Sequence, residues 1–186
     1  MKRIFDLTVV VLAGCMLLLP ALAIALLVRA TSQGPIIYWS NRVGRHNVIF
    51  KMPKFRSMKI ETPALATHLL SDPDRYLTLV GRFLRKSSLD ELPQMWSILK
   101  GDMSLVGPRP ALFNQYDLIS QRTERGVHIL LPGLTGWAQI NGRDELLIQE
   151  KVALDVEYLR QKSFFLDIKI MLRTIVKVIR RDNVSH

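Results

Sequence analysis

The chain is poor in cysteine, histidine and acid. Its 186 residues include one cysteine, Cys15, which excludes an internal disulfide and suits a reducing compartment. The four histidines, His46, His68, His128 and His186, are scattered without metal-ligand spacing. A zinc site or a Ser/His/Asp hydrolase therefore has little support. Acids number 16 against 26 Lys and Arg, a formal charge of +10. That balance implies an anionic partner: nucleic acid, acidic lipid or a phosphorylated metabolite. No helix-turn-helix or RNA-binding signature is present, so charge alone speaks for nucleic acid. Repeats and low-complexity tracts are also missing, and the length suits one domain with a modest core.

Apolar residues are abundant, at 48%, with a mean hydropathy of +0.15 that is high for so charged a chain. They concentrate at Leu7–Val28, LTVVVLAGCMLLLPALAIALLV, 22 residues without a charge. As a helix this run is about 33 Å long, enough to cross a bilayer core of about 30 Å. Pro20 interrupts it and predicts a kink, leaving arms of roughly 20 and 12 Å that cannot cross alone. A spanning helix and a re-entrant helix both fit. Lys2 and Arg3 before the run and Arg29, Arg42 and Arg45 after it place both ends on the cytoplasmic side by the positive-inside rule, which favours re-entry. Ala21-Leu22-Ala23 has the form of a signal-peptidase site, but the apolar run continues past it.

Residues 36–52, IIYWSNRVGRHNVIFKM, predict a β-hairpin with its turn at Val43–Asn47. Lys51, Lys54, Arg56 and Lys59 follow, either as a solvated charged face or as a surface for phosphates or lipid headgroups. Residues 60–78 are polar, with Pro63 and Pro73, and predict a loop with one short helix. At the other end, 164–181 read FFLDIKIMLRTIVKVIRR, with Lys169, Arg173, Lys177 and Arg181 every four residues. This is a basic amphipathic helix, suited to an anionic membrane surface or to packing its apolar side on the core.

Residues 87–94, SSLDELPQ, place Asp90 and Glu91 side by side in this basic chain. Pro93 must lie near a helix start, so the two acids belong to its first turn, and the helix continues through Lys100 to end at Gly101. Ser88-x-x-Glu91 fits a capping box, which is one sufficient explanation. The other is chemistry. A helix N-terminus with Arg82 and Arg85 nearby keeps a carboxylate ionised, an ionised Asp is a nucleophile, and paired oxygen ligands suit Mg²⁺ and the phosphates it brings. In GDMSLVGPRP, Pro108 and Pro110 stiffen the chain around Arg109, whose guanidinium matches phosphate oxygens. In LPGLTGWAQINGR, Gly133, Gly136 and Gly142 permit close backbone approach to a ligand, and Asn141 and Arg143 offer donors.

Taken together, RVGR at 42–45, KFRSM at 54–58, SLDELPQMWSILKGDMSLVGPRP at 88–110 and LPGLTGWAQINGR at 131–143 resemble the bacterial sugar transferase family, the monotopic phosphoglycosyl transferases. The resemblance covers nearly the whole chain. It implies an α+β, mostly helical, monotopic membrane protein. Residues 1–30 would form a re-entrant helix broken at Pro20, and 31–186 a cytoplasmic-face catalytic domain with a small β-hairpin and amphipathic interfacial helices. It implies transfer of a phospho-sugar from a UDP-sugar, favouring an N-acetylated hexose, to undecaprenyl phosphate at the bacterial inner membrane. Mg²⁺ is the implied cofactor, UMP the by-product and surface-glycan assembly the destination. Asp90 would be the nucleophile, Glu91 would help hold the metal, Arg85 and Arg109 would steady phosphates, and Arg143 would serve the nucleotide or sugar. Lys54 and Arg56 join the substrate surface, and anionic lipid the partners. A homodimer is compatible with this, as are direct attack by the lipid phosphate with Asp90 as a metal ligand and a non-catalytic lipid-binding scaffold. The chain departs from the family pattern at Leu19, where many members have Ser before the proline, and at Leu131, where many have a basic residue.

Overall fold

The computed structural model describes residues 1–63, 72–142 and 146–180. The protein is mostly helical, with two small two-stranded sheets. Helix α1, Lys2–Thr31, leads through a short linker into an antiparallel hairpin of β1, Ile37–Val43, and β2, Ile49–Phe55. The hairpin runs three residues further than the sequence pattern suggests, because Pro53 is accommodated opposite Trp39 and pairing continues to Ile37 opposite Phe55. Its tip is a 3₁₀ turn in which His46 and Asn47 adopt φ of 55° and 60°. In the polar stretch after it, a short 3₁₀ helix covers Pro73–Tyr76. The site elements follow: α2, Gly81–Lys86; a 3₁₀ turn, Leu89–Gln94; α3, Met95–Lys100; and β3, Ser104–Val106. Gly101, at φ 99°, ends α3 as the sequence indicates, returning its N–H to Ser97 and Ile98. Beyond lie α4, Tyr116–Glu124; β4, Gly133–Thr135, parallel to β3; α5, Trp137–Ile140; α6, Ile148–Gln161; and α7, Phe164–Arg180.

Helix α1 is continuous through Pro20, so the proline does not end the helix there. Proline removes one hydrogen bond, and a helix of 30 residues retains the bonds on either side. Both ends of α1 pack on the same body. Val10 joins the main core with Phe50, Met52, Ile98, Met103, Tyr158 and Ile170. Ile24 and Val28 form a second core with Phe55 and Leu84. Between them Leu12, Met16, Leu18, Leu19 and Leu22 are exposed.

The charges at the N-terminal end of α1 are used inside the protein. Lys2 pairs with Asp167 on α7 and donates to the Val106 carbonyl at 3.0 Å. Tyr158 donates to the other oxygen of Asp167 at 2.7 Å, and burial followed by the Asp167 charge raises its phenol. Arg3 caps α3 by donating to the carbonyls of Ile98 and Leu99, at 2.6 and 2.9 Å. Asp6, buried, accepts from Ser104 at 2.7 Å. Lys2 and Arg3 therefore lock the helix to the domain, whereas Arg29 at its far end is exposed.

Glycines around β3 and β4 set how closely the chain folds on itself. A Cβ on Gly133 would stand 2.1 Å from the Gly107 nitrogen, and one on Gly136 2.1 Å from the Gly107 carbonyl oxygen. The close approach read from the sequence as room for a ligand is thus made by the protein's own backbone. Helix α7 buries Asp167 and Ile170 inward and leaves Phe165, Leu172, Ile175 and Val176 exposed beside exposed Lys169 and Arg173. Gly133→Ala should destabilise the fold by about 3 kcal/mol or more, since a backbone atom and not a side chain must move. A thermal melt in detergent would show it, and an unchanged midpoint would contradict the packing described.

Candidate active site

The site gathers around the turn Leu89–Gln94. Ser88 enters it in the left-handed region at φ 55°, a conformation that costs a non-glycine residue free energy and marks a constrained corner. That reversal directs Asp90 inward, where it is 7% exposed. Ser88 makes no side-chain capping bond. Glu91 turns away from the cap altogether: its Oε1 accepts from Lys54 Nζ at 2.8 Å and from an Arg109 Nη at 2.9 Å. The capping-box explanation therefore fails, because the carboxylate it needs is engaged elsewhere.

Three segments distant in sequence meet at that oxygen. Lys54 comes from β2, Glu91 from the turn, and Arg109 from the Pro-Arg-Pro turn after β3. Lys54 and Glu91 are largely out of water, with side-chain exposures of 15% and 13%, and Arg109 is about one-third exposed. Burial alone would raise the Glu91 carboxyl. The Arg109 and Lys54 charges and hydrogen bonds outweigh it and hold Glu91 well below the usual carboxylate range. Asp90 behaves oppositely. Burial raises its carboxyl, Glu91 adds to the rise, and Lys54, Arg85 and Arg109 together do not cancel it. Burial likewise lowers Lys54, against the pull of Glu91 and Asp90. Of the two arginines expected to keep Asp90 ionised, Arg85 does lower its carboxyl, whereas Arg82 takes no part. Arg82 is exposed and paired with Asp74 at 3.1 Å, and desolvation dominates at Asp90.

Of the residues singled out from sequence, Asp90, Glu91, Lys54 and Arg109 come together, and Arg85 is close enough to Asp90 to act on its charge. Arg85 also donates to the Met58 sulfur at 3.2 Å. Pro108 and Pro110 are buried and frame Arg109. Arg56 is not brought into this cluster. It is buried, and its guanidinium donates to the Gln33 carbonyl at 2.9 Å, fastening the linker after α1 against Gly34. Arg143 lies outside the described residues, and Asn141 is exposed with its amide on the Trp137 carbonyl at 2.8 Å.

The chain that carries this cluster matches known proteins over nearly its whole length. The family model described as bacterial sugar transferase matches residues 1–181. The chain belongs to that family. It is 42% identical, over its full length and 91% of the relative's, to a protein of Bacillus subtilis named uncharacterized sugar transferase EpsL. It is 44% identical, over 95% of its length, to the UDP-glucose:undecaprenyl-phosphate glucose-1-phosphate transferase of Escherichia coli K12. A third relative, from Aeromonas hydrophila and named UDP-N-acetylgalactosamine-undecaprenyl-phosphate N-acetylgalactosaminephosphotransferase, is 36% identical over 94% of the chain. The chain spans only 40% and 42% of these last two relatives.

Sequence reasoning missed Arg122 and Asp155, which help hold this sugar transferase's Pro-Arg-Pro turn, and read Arg42 only as a flanking cation. Arg122 pairs with buried Asp155 at 2.6 Å. One signal was available. Val152, Asp155 and Tyr158 form the buried stripe of α6, and a carboxylate on an apolar stripe must have a partner.

Opposite stability effects should follow for the two acids. Glu91 has a depressed folded pKa, so its contribution is present above its unfolded value and is lost as pH falls through the folded one. Glu91→Gln should therefore cost about 2–3 kcal/mol at neutral pH, since Lys54 and Arg109 lose the Glu91 charge, and the deficit should shrink in acid. Asp90 has a raised folded pKa, so its ionised form is a burden that disappears as pH falls through that value. Asp90→Asn should hold or raise the melting temperature at neutral pH, with the advantage fading on acidification. Melting curves of both variants from pH 4 to pH 8 would reveal these trends, and parallel losses would contradict the assignment of charge.

Proposed function

We propose that the chain transfers a sugar 1-phosphate from a UDP-sugar to undecaprenyl phosphate and releases UMP. The observation that carries this reading is the buried Asp90 beside a Glu91 anion already matched by Lys54 and Arg109. Such a site combines a nucleophile with cations suited to a diphosphate. The names of the E. coli and A. hydrophila relatives supply the substrate classes, a UDP-sugar and undecaprenyl phosphate. They name both a hexose and an N-acetylated hexose, and we retain the N-acetylated hexose as the proposed donor.

In the first step a carboxylate oxygen of Asp90 attacks the β-phosphorus. The bond from that phosphorus to the bridging oxygen breaks, and UMP departs with the oxygen. In the second, a phosphate oxygen of undecaprenyl phosphate attacks the phosphosugar-aspartyl phosphorus. The aspartyl bond breaks, Asp90 is restored, and undecaprenyl-diphosphate sugar leaves as the first lipid-linked unit of a surface glycan. Arg109, Lys54 and Arg85 offset the charge of the phosphates. Asp90 and Glu91 offer oxygen donors only, and no group of three or more His, Cys, Asp or Glu among the described residues could hold a metal. That donor set fits Mg²⁺, which takes one or two carboxylates and completes its shell with water and substrate phosphate. When bound there it would supply further neutralisation of the diphosphate.

The membrane reading is part of the proposal: α1 enters and leaves the cytoplasmic leaflet on one side. Both its ends rest on one domain, whereas a spanning helix would carry one end away from it. Elements at both ends also expose apolar side chains, Leu79 and Phe83 beside the C-terminal end and Trp96 and Leu99 beside the N-terminal end. With α7 these offer an interfacial surface for acidic lipid.

Intact-protein mass spectrometry with Mg²⁺ and a panel of UDP-sugars, without lipid acceptor, should show a phosphosugar adduct on Asp90 and released UMP. Asp90→Asn should show neither. UMP release only after undecaprenyl phosphate is added, with no adduct, would overturn the covalent step in favour of direct transfer.

A further inference from the structure

The Pro108-Arg109-Pro110 turn cannot be held by backbone donors of its own at two of three positions, since proline has no N–H. It is held by its carbonyls, and each is taken by a different element. The Pro108 carbonyl accepts from the Gly133 N–H on β4 at 2.9 Å. The Pro110 carbonyl accepts from Arg42 on β1 at 3.1 Å. The middle carbonyl, that of Arg109, accepts from Arg122 Nη1 on α4 at 2.8 Å. The other two nitrogens of that guanidinium, Nε and Nη2, both donate to Asp155 Oδ2 on α6, at 2.9 and 2.6 Å.

A guanidinium is rigid and planar, so two bonds to Asp155 dictate where its third nitrogen points. That direction fixes the orientation of the Arg109 peptide, and hence where the Arg109 side chain leaves the backbone. The side chain ends 2.9 Å from Glu91. Asp155 is 1% exposed, and its burial raises its carboxyl against the opposing Arg122 charge. A buried ion pair is weak evidence for stability, since replacing it by apolar residues is often neutral or better. Its connection to the Arg109 carbonyl offers a reason for its placement.

We infer that Arg122, aligned by Asp155, is a positioning residue for the transfer reaction, holding the Arg109 peptide so that the Arg109 guanidinium stands beside Glu91 where the donor diphosphate would lie. This rests on the proposal that Arg109 meets substrate phosphate. Arg122 touches no substrate itself. Its contribution is to spare Arg109 the search for its orientation, which shows chiefly in the affinity for the donor.

The test is a double-mutant cycle. Arg122→Lys keeps a cation for Asp155 but replaces the planar fork by a single nitrogen, so bonding Asp155 no longer dictates the direction of the bond to the Arg109 carbonyl. It should lower kcat/KM for the UDP-sugar by about 10- to 100-fold, the scale of a small misplacement in a site, with KM rising more than kcat falls. In an Arg109→Ala background the same change should cost less than about twofold, because nothing remains to be positioned. Replacing the pair with Arg122→Met and Asp155→Leu keeps the interior packed and should reproduce the loss without a lower melting temperature. Factors that multiply in the double variant, or wild-type kinetics for Arg122→Lys, would overturn the positioning role alone. Wild-type kinetics for Arg109→Ala would overturn the phosphate role of Arg109 and the inference with it.

Discussion

A single carboxylate oxygen, Glu91 Oε1, ties together the hairpin, the Leu89–Gln94 turn and the Pro-Arg-Pro turn. Lys54 and Glu91 are largely removed from water, and neither charge is tolerable alone, because a buried ion without a partner costs far more than a surface pair contributes. The constraint works on the fold as well as on the site. β2 must lie across the 3₁₀ turn to deliver Lys54, and β3 must end where Arg109 can reach back. The glycine contacts at Gly107, Gly133 and Gly136 make that second placement possible by letting two backbones meet without side chains between them.

The same matching of charge explains Asp90. One anion is enough for the cations that surround the pair, and Glu91 takes that role. Asp90 is left desolvated with a raised pKa, within reach of the charges of Lys54, Arg85 and Arg109. The excess of +10 in the chain is therefore only partly a surface property. Lys2, Arg3, Arg56 and Arg122 are used inside, on Asp167, helix carbonyls, the linker and Asp155. Among the cations that remain outward, Arg29, Lys169 and Arg173 lie on helices that also expose apolar side chains.

Several elements are legible in the amino-acid order alone. The apolar N-terminal helix, the hairpin, the short helix ending at Gly101 and the basic amphipathic helix all follow from periodicity and turn chemistry, which act over a few residues. The hairpin's end at Phe55 is not, because tertiary packing admits Pro53 into the strand. Pro20 does not end the helix, since a long helix keeps the hydrogen bonds on either side of it. Ser88-x-x-Glu91 has a local explanation in the capping box. It is displaced by partners 37 and 18 residues away, which no local rule can weigh.

The amino-acid sequence by itself determined the kinds of group present and their short-range order: an uncharged helix, adjacent acids at a proline-marked turn, an arginine stiffened between prolines. These depend on backbone sterics and on neighbours within a turn or two. Only the tertiary structure decided that Lys54 and Arg109 share Glu91, that Arg56 serves the linker, that Arg122 and Asp155 brace the arginine turn, and that the two acids carry opposite pKa shifts. Those outcomes rest on desolvation and on distances across the fold, and both exist only once remote segments have packed together.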